Sequence, residues 1–221
     1  MTDSPAARLG RLAVRDFRNL ERVELEPAAD GVVLIGENGQ GKTNLLEAIY
    51  YLQILRSARG ARDQDLIRFD ADAFHLQADV DSDAAHTIGV GFERAGRRKR
   101  VRLDGAVPER LSDALGALPS VMFSPDDVEL IAGSPNARRR FLDIMLALTT
   151  RGYLPALQRY RAALSRRNAA LRESTRSGSG SAASIAVWEP ALAEHGALIW
   201  AARAAWVESM QRRFGALCRD V

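Results

Sequence analysis

The feature that most restricts this chain is an eight-residue glycine-rich run, Gly36-Glu37-Asn38-Gly39-Gln40-Gly41-Lys42-Thr43. It follows the apolar run Val32-Val33-Leu34-Ile35 and precedes Leu45, Leu46, Ile49 and Leu52 at helical spacing. Strand, glycine loop and helix in that order predict an α/β fold, and the run satisfies G-x-x-x-x-G-K-[ST] without deviation. Each position has a chemical reason. Glycines let the backbone wrap so that successive N–H groups face an anion, and a helix leaves the N–H groups of its first turn free to bind one. Lys42 would reach the β- and γ-phosphates of a nucleotide as a compact charge, and Thr43 would offer its hydroxyl to Mg²⁺. The alternative, a glycine-rich turn in an unrelated α/β protein, makes no demand for lysine. That distinction matters here, because Lys42 and Lys99 are the only lysines among 31 basic residues. Gly36, Glu37, Asn38, Gly39, Gln40, Gly41, Lys42 and Thr43 are therefore the candidate nucleotide-binding residues, with ATP and Mg²⁺ as cofactors and Thr43 as the metal contact.

The 221 residues are 47% hydrophobic and 27% charged, ordinary globular values that exclude wholesale disorder. The opening Met1-Thr2-Asp3-Ser4-Pro5 is polar, and no run approaches the roughly 20 apolar residues of a membrane span. Cys218 is the sole cysteine, which rules out an internal disulfide and a thiolate metal cluster. A cytoplasmic protein is expected. His75, His86 and His195 lack metal-site spacing and are expected to be structural. The net charge of +3 is a mild lean toward polyanions, so its distribution matters more than its total.

Between Leu9 and Pro27, Leu12, Val14, Val23 and Leu25 alternate with charged residues. This predicts two strands around an Asp16-Phe17-Arg18-Asn19 turn, a hairpin at a sheet edge. Val32-Val33-Leu34-Ile35 predicts a strand buried on both faces. Leu76/Ala78/Val80, Ile88/Val90/Phe92 and Val101/Leu103, separated by Asp81-Ser82-Asp83 and Ala95-Gly96, predict an antiparallel meander. Val121-Met122-Phe123 reads as a further short buried strand. Helix-start signals follow at Ser124-Pro125-Asp126-Asp127 and Ser134-Pro135. The last third changes character. Leu157, Tyr160, Leu164, Asn168 and Leu171, then Trp188, Leu192, His195, Ile199, Ala202 and Trp206, recur at three- and four-residue intervals. They predict two long amphipathic helices whose apolar stripes pack together. The low-complexity stretch Ser174 to Ser181 predicts the flexible tip of a helical hairpin, about 174–184. The expected organisation is a lobe over 1–150, carrying the loop and the β subdomain, and a helical arm over 151–221.

The densest basic stretch holds Arg94, Arg97, Arg98, Lys99, Arg100 and Arg102, offset nearby only by Glu93. Alternation would put Arg98, Arg100 and Arg102 on one face, opposite Val101 and Leu103. Such a row can bridge nucleic-acid phosphates without reading sequence; a solvated hairpin face is the alternative. Arg97, Arg98, Lys99, Arg100 and Arg102 are the candidate DNA-binding residues. Arg138-Arg139-Arg140 fits a solvated helix face better than a phosphate contact and is left unassigned.

Several segments recur in a fixed order along nearly the whole chain: Phe17-Arg18-Asn19, the run from Gly36 through Asn44-Leu45-Leu46-Glu47 to Ile49, Arg59 to Arg68, and Phe123 to Pro135. Arg138-Arg139-x-Phe141-Leu142-Asp143, Arg167-Asn168-Ala-Ala-Leu171 and Trp188-x-x-x-Leu192-x-x-x-Gly196 complete the series. In these segments the chain resembles the RecF recombination-mediator family, relatives of SMC-type ATPases. The resemblance implies a P-loop ABC-type ATPase lobe with an antiparallel β meander, plus an α-helical hairpin arm. It implies a full-length protein that dimerises head to tail on ATP and binds single-stranded, gapped or junction DNA. Recombinase loading, replication restart and SOS induction, with recombination-mediator proteins as partners, come with it. It also places Arg18 and Asn19 beside the nucleotide; taken alone, they fit a surface turn as well.

Two departures accompany the resemblance. SMC relatives carry a glutamine near the metal where this chain has Ser124-Pro125-Asp126. Family members also run well beyond 221 residues, and their signature motif, Walker B strand and catalytic glutamate find no match here. No catalytic residue is assigned, and ATP hydrolysis by this chain alone is not expected. The competing functions are a P-loop small-molecule kinase, which the basic meander and helical hairpin fit poorly, and a transporter ATPase subunit.

Overall fold

The computed structural model describes residues 7–82, 86–177 and 182–219. The chain divides into two compact units, Met1–Pro125 and Asp126–Val221. In the first, β1 (Arg8–Phe17), β2 (Leu20–Leu25), β3 (Ala73–Asp81), β4 (His86–Glu93) and β5 (Arg98–Leu103) form one antiparallel sheet in the order β2-β1-β3-β4-β5. The period-two pattern decides which face is buried. Leu12 and Val14, Leu76, Ala78 and Val80, Ile88 and Val90, and Val101 all point into one core. The hairpin β1–β2 turns at Arg18-Asn19 and lies at the sheet edge, as the alternation predicts. The β3–β4–β5 meander likewise matches expectation; of its expected first turn, Asp83 lies outside the described residues. Gly96, with φ at 72°, lets the chain reverse between β4 and β5.

Helix α1 (Lys42–Ile54) covers the buried face with Leu45, Ala48, Tyr51 and Leu52. Tyr51, Phe17 and Phe74 meet edge to face at 5.3–6.1 Å between centroids. Asp16 adopts a left-handed φ of 51°, which breaks the alternation of β1 and turns Phe17 inward on the same side as Val14.

Two expected strands are absent. Residues 32–35 belong to no sheet, and Ile35 is 91% exposed. Residues 121–123 likewise pair with nothing, and Val121 is 97% exposed. An apolar run supplies side chains for burial, but a strand also needs a neighbour for its N–H and C=O groups. No described residue provides that neighbour.

The second unit is helical: α2 (Glu129–Ala132), α3 (Pro135–Thr149), α4 (Tyr153–Ser177), α5 (Ala182–Ala186) and α6 (Glu189–Leu217). The first helix-start signal opens a 3₁₀ turn, Pro125–Val128, that leads into α2. Helices α4 and α6 run antiparallel, with Tyr153 beside Arg203 at one end and Arg167 beside Glu189 at the other. Their seam holds Tyr153, Ala156, Leu157 and Ile199, joined by Leu146 from α3. Because Leu146 packs there, α3 belongs with the hairpin, and the division falls at Pro125 rather than near 150. Of the segment expected as a flexible tip, 174–177 belong to α4 and 182–184 to α5. Residues 178–181 lie outside the described residues.

A buried carboxylate staples this unit. Asp143 on α3 accepts hydrogen bonds from Tyr153 (2.6 Å), Arg203 (2.6 Å) and Arg161 (2.8 Å). Burial, reinforced by the bond to Asp143, pushes the Tyr153 phenol up to about 12. Truncating a buried carboxylate strands the cations around it, so Asp143→Ala is expected to destabilise the chain by roughly 2–4 kcal/mol. Chemical denaturation measures this; a loss below about 0.5 kcal/mol, the range of an ordinary surface change, contradicts it.

Candidate nucleotide-binding loop and basic sheet face

The loop Gly36–Thr43 enters α1 at Gly41, which has φ at 102° and no side-chain cap. A Cβ on Gly41 would stand 2.6 Å from a Leu20 methyl and 2.7 Å from the Asn19 amide oxygen, so both backbone shape and space demand glycine. The first-turn N–H groups are thus left open beside the positive end of the helix. Lys42 folds back over the loop and donates to the carbonyls of Gly36 (2.7 Å) and Glu37 (2.8 Å). The residues present suit a polyphosphate: an uncapped helix start, glycines where a Cβ would clash, and a lysine already held within the loop.

The two residues expected beside the nucleotide are drawn into the loop's support. Asn19 donates its amide to the carbonyl of Gly39 at 2.8 Å and accepts from Asn44 at 2.8 Å. Arg18 bonds to α1, its Nε and a terminal nitrogen each 3.1 Å from Glu47. Glu47, on α1, is fully buried. It also accepts from Ser57 (2.5 Å) and from Arg59 (2.6 and 3.0 Å), and Arg59 in turn donates to Asn44 at 2.7 Å. Burial pushes the Glu47 carboxyl up, but the bonds from Arg18, Ser57 and Arg59 outweigh it and hold the group below its ordinary range.

Glu47, Ser57, Arg59 and Asn44 were absent from the expected site. One signal was legible: Glu47, Tyr51 and Ile54 lie four and three residues apart, a carboxylate on a stripe otherwise buried.

On the opposite face of the sheet, Arg98, Arg100 and Arg102 project to solvent from β5. They line a trough of about 470 Å³ with Arg15 of β1 and Arg22 of β2, floored by Gly89 and Gly91. Arg22 is paired with Glu24 at 2.7 Å and Arg100 with Glu93 at 3.5 Å. Arg97 is exposed at the β4–β5 turn. Lys99 departs from expectation: alternation sends it to the buried side, where it bonds Asp63 (2.8 Å) and the Leu55 carbonyl (2.8 Å) over the Tyr51 ring. It is therefore not part of the basic face. Arg138, left unassigned above, donates to the carbonyls of Leu130, Ile131 and Gly133 at the end of α2.

Mixed α/β architecture, a glycine loop opening a helix, an antiparallel meander and a long helical hairpin define a P-loop ATPase-type domain with a helical arm. Residues 7–104 match a family described as "Protein of unknown function (DUF2813)". The chain is 36% identical over 201 residues to the DNA replication and repair protein RecF of Phocaeicola vulgatus, covering 90% of this chain and 53% of that protein. It is 40% identical over 210 residues to RecF of Anaeromyxobacter sp., covering 95% and 55%. A solved structure described as the recombination mediator protein RecF-ATP in the RecFOR pathway superposes with a TM-score of 0.86 at 32% identity, covering 95% of this chain and 56% of that one. The chain belongs to the RecF family and spans about half the length of the curated relatives it matches. No helix among the described residues is long and apolar enough to cross a membrane.

Because the Glu47 carboxyl is held below its ordinary range, its stabilising contribution is complete above that range and is lost as pH falls through the depressed value. Glu47→Gln is expected to cost roughly 2 kcal/mol at pH 7, the gap from the parent narrowing below about pH 4. Unfolding curves of both proteins from pH 7 to pH 3 check this; a gap independent of pH contradicts it.

Proposed function

We propose that this chain binds Mg-ATP on Gly36–Thr43 and DNA on the basic face of its sheet, as the nucleotide-binding part of a recombination-repair protein. The observation that carries the reading is the uncapped start of α1 beneath a glycine loop into which Lys42 is folded. ATP would displace the two loop carbonyls from Lys42 and give its ammonium phosphate oxygens instead. Thr43 would hold Mg²⁺, whose other ligands come from phosphate and water. Arg18 and Asn19, expected as nucleotide contacts, serve better as supports of the loop. Two features favour DNA repair over a small-molecule kinase or a transporter subunit: the arginine trough, and the helical hairpin, which lies within the 95% of this chain that superposes on a solved structure described as RecF.

The finer role follows the relatives. Nucleotide would act as a switch for homodimerisation of the full-length protein in the cytoplasm. That dimer would engage single-stranded, gapped or junction DNA, cooperate with recombination-mediator proteins, and support recombinase loading, replication restart and SOS induction. Arg98, Arg100 and Arg102, with Arg97 at the turn, would contact DNA phosphates without reading bases.

Two measurements test these assignments. Lys42→Ala is expected to weaken Mg-ATP binding at least about tenfold. Its melting temperature should move by less than about 3 °C, because the bonds it loses are solvent-exposed. Unchanged affinity in the folded variant removes the nucleotide assignment. For the sheet face, reversing Arg98, Arg100 and Arg102 together to glutamate should flatten the dependence of log affinity for DNA on log salt by roughly 2–3. An unchanged slope removes the DNA assignment.

A further inference from the structure

Gly39 has φ at 84°, and a Cβ placed on it would meet nothing within 4 Å. No neighbour crowds the Cβ direction of Gly39, and as a glycine it keeps its full backbone freedom. A glycine peptide in open space can rotate at little cost and exchange the places of its C=O and N–H. In a planar trans peptide those two groups point in opposite directions. Whatever holds the Gly39 carbonyl thus also aims the Gln40 N–H, one of the donors an anion in the loop would use. The holder is Asn19, whose amide lies 2.8 Å from that oxygen.

Asn19 sits in the two-residue turn between β1 and β2, an exposed place for a side chain on which a loop depends. It is fixed from behind. Asn44 donates to the Asn19 amide oxygen, Arg59 donates to the Asn44 oxygen, and Glu47 receives Arg59 through two nitrogens. The same carboxylate receives Arg18, the residue adjoining Asn19, through a further two nitrogens. Glu47 therefore grips the turn both directly through Arg18 and through the Arg59–Asn44 branch, and both lines converge on Asn19.

We propose that Glu47 is a positioning residue of the phosphate loop: through Arg18 and the Arg59–Asn44–Asn19 chain it locks the Gly39–Gln40 peptide in the orientation that presents the Gln40 N–H to phosphate. This rests on the reading that Gly36–Thr43 binds nucleotide. Glu47 touches no phosphate itself; it sets which backbone group faces one. A carboxylate suits the task because its two oxygens only accept, and together they take two guanidiniums and a hydroxyl at once.

The test uses Asn44→Ala and Glu47→Gln, with Lys42→Ala alongside. Asn44→Ala cuts the chain between Asn19 and Arg59 and leaves the buried carboxylate with both of its arginines, so it decides the matter even where Glu47→Gln folds poorly. Two quantities are read on each folded variant: affinity for Mg-ATP, and the hydrogen-exchange rate of the Gln40 amide in nucleotide-free protein. Asn44→Ala is expected to bind about tenfold more weakly and to exchange Gln40 about tenfold faster, at an unchanged melting temperature. Folded Glu47→Gln should lose at least as much. If Asn44→Ala stays within about twofold of the parent in both quantities while Lys42→Ala loses binding, the loop holds nucleotide without this support and the proposal is overturned. If Lys42→Ala also binds normally, the nucleotide reading falls and the proposal falls with it.

Discussion

A carboxylate withdrawn from water is costly unless its surroundings replace every hydrogen bond that water gave it, and around Glu47 they do. Two guanidiniums and a hydroxyl supply the donors, from two different stretches of chain: Arg18 in the β1–β2 turn, and Ser57 and Arg59 in the loop after α1. Because none of these donors can leave without stranding a buried charge, the β1–β2 turn and the loop after α1 are tied to one point on α1. That point lies one turn beyond the glycine loop. The geometry of the loop is thus set from beneath by a charge pair and from above by Lys42, and the glycines between are free to follow both.

The antiparallel sheet allots chemistry by parity. Along β5, odd and even positions do opposite work: Arg98, Arg100 and Arg102 face solvent, while Lys99 and Val101 face the core. Glycines at 89 and 91 leave the middle of the outer face low, so arginines on β1, β2 and β5 border a trough instead of a flat surface. The inner face carries aromatic packing, and Tyr51 bridges the two chemistries. Its hydroxyl donates to Asp63, which also pairs with Lys99, and burial followed by the Asp63 charge drives the phenol far above its ordinary range.

Elements governed by short-range periodicity were legible from the residues alone. The β1–β2 hairpin, the meander and the two long helices each repeat a pattern over enough residues to overrule alternatives, and the glycine loop declared its helix. Val32–Ile35 and Val121–Phe123 failed as strands because composition cannot say whether a pairing partner exists. Lys99 is close in sequence to the basic row but not part of it, because the alternation that groups Arg98, Arg100 and Arg102 turns Lys99 to the other face. The support beneath the loop was invisible for another reason. Glu47, Arg59 and Asn19 are 12 to 40 residues apart by number, and only the folded hairpin brings them together. Near residue 150 a change of pattern suggested a boundary, but packing of Leu146 moved it to the chain before α3.

The choice of cation follows the same physics. In a chain whose basic residues are nearly all arginine, both carboxylate staples use guanidiniums: Arg18 and Arg59 on Glu47, Arg161 and Arg203 on Asp143. A planar fork matches the two oxygens of a carboxylate, and weak hydration lets it be buried. Both lysines instead bridge oxygens that belong to different groups. Lys42 spans two successive loop carbonyls, and Lys99 spans a helix-end carbonyl and the Asp63 carboxylate. An ammonium offers three donors that rotate about one bond, so it can serve acceptors with no common plane. In the proposed nucleotide site that freedom would have a second value at Lys42, because a point charge can release carbonyls and take up phosphate oxygens by turning its stem, whereas a guanidinium would have to re-aim a rigid plane. Lysine at these two positions, against the bias of the whole sequence, is what the local geometry of the acceptors requires.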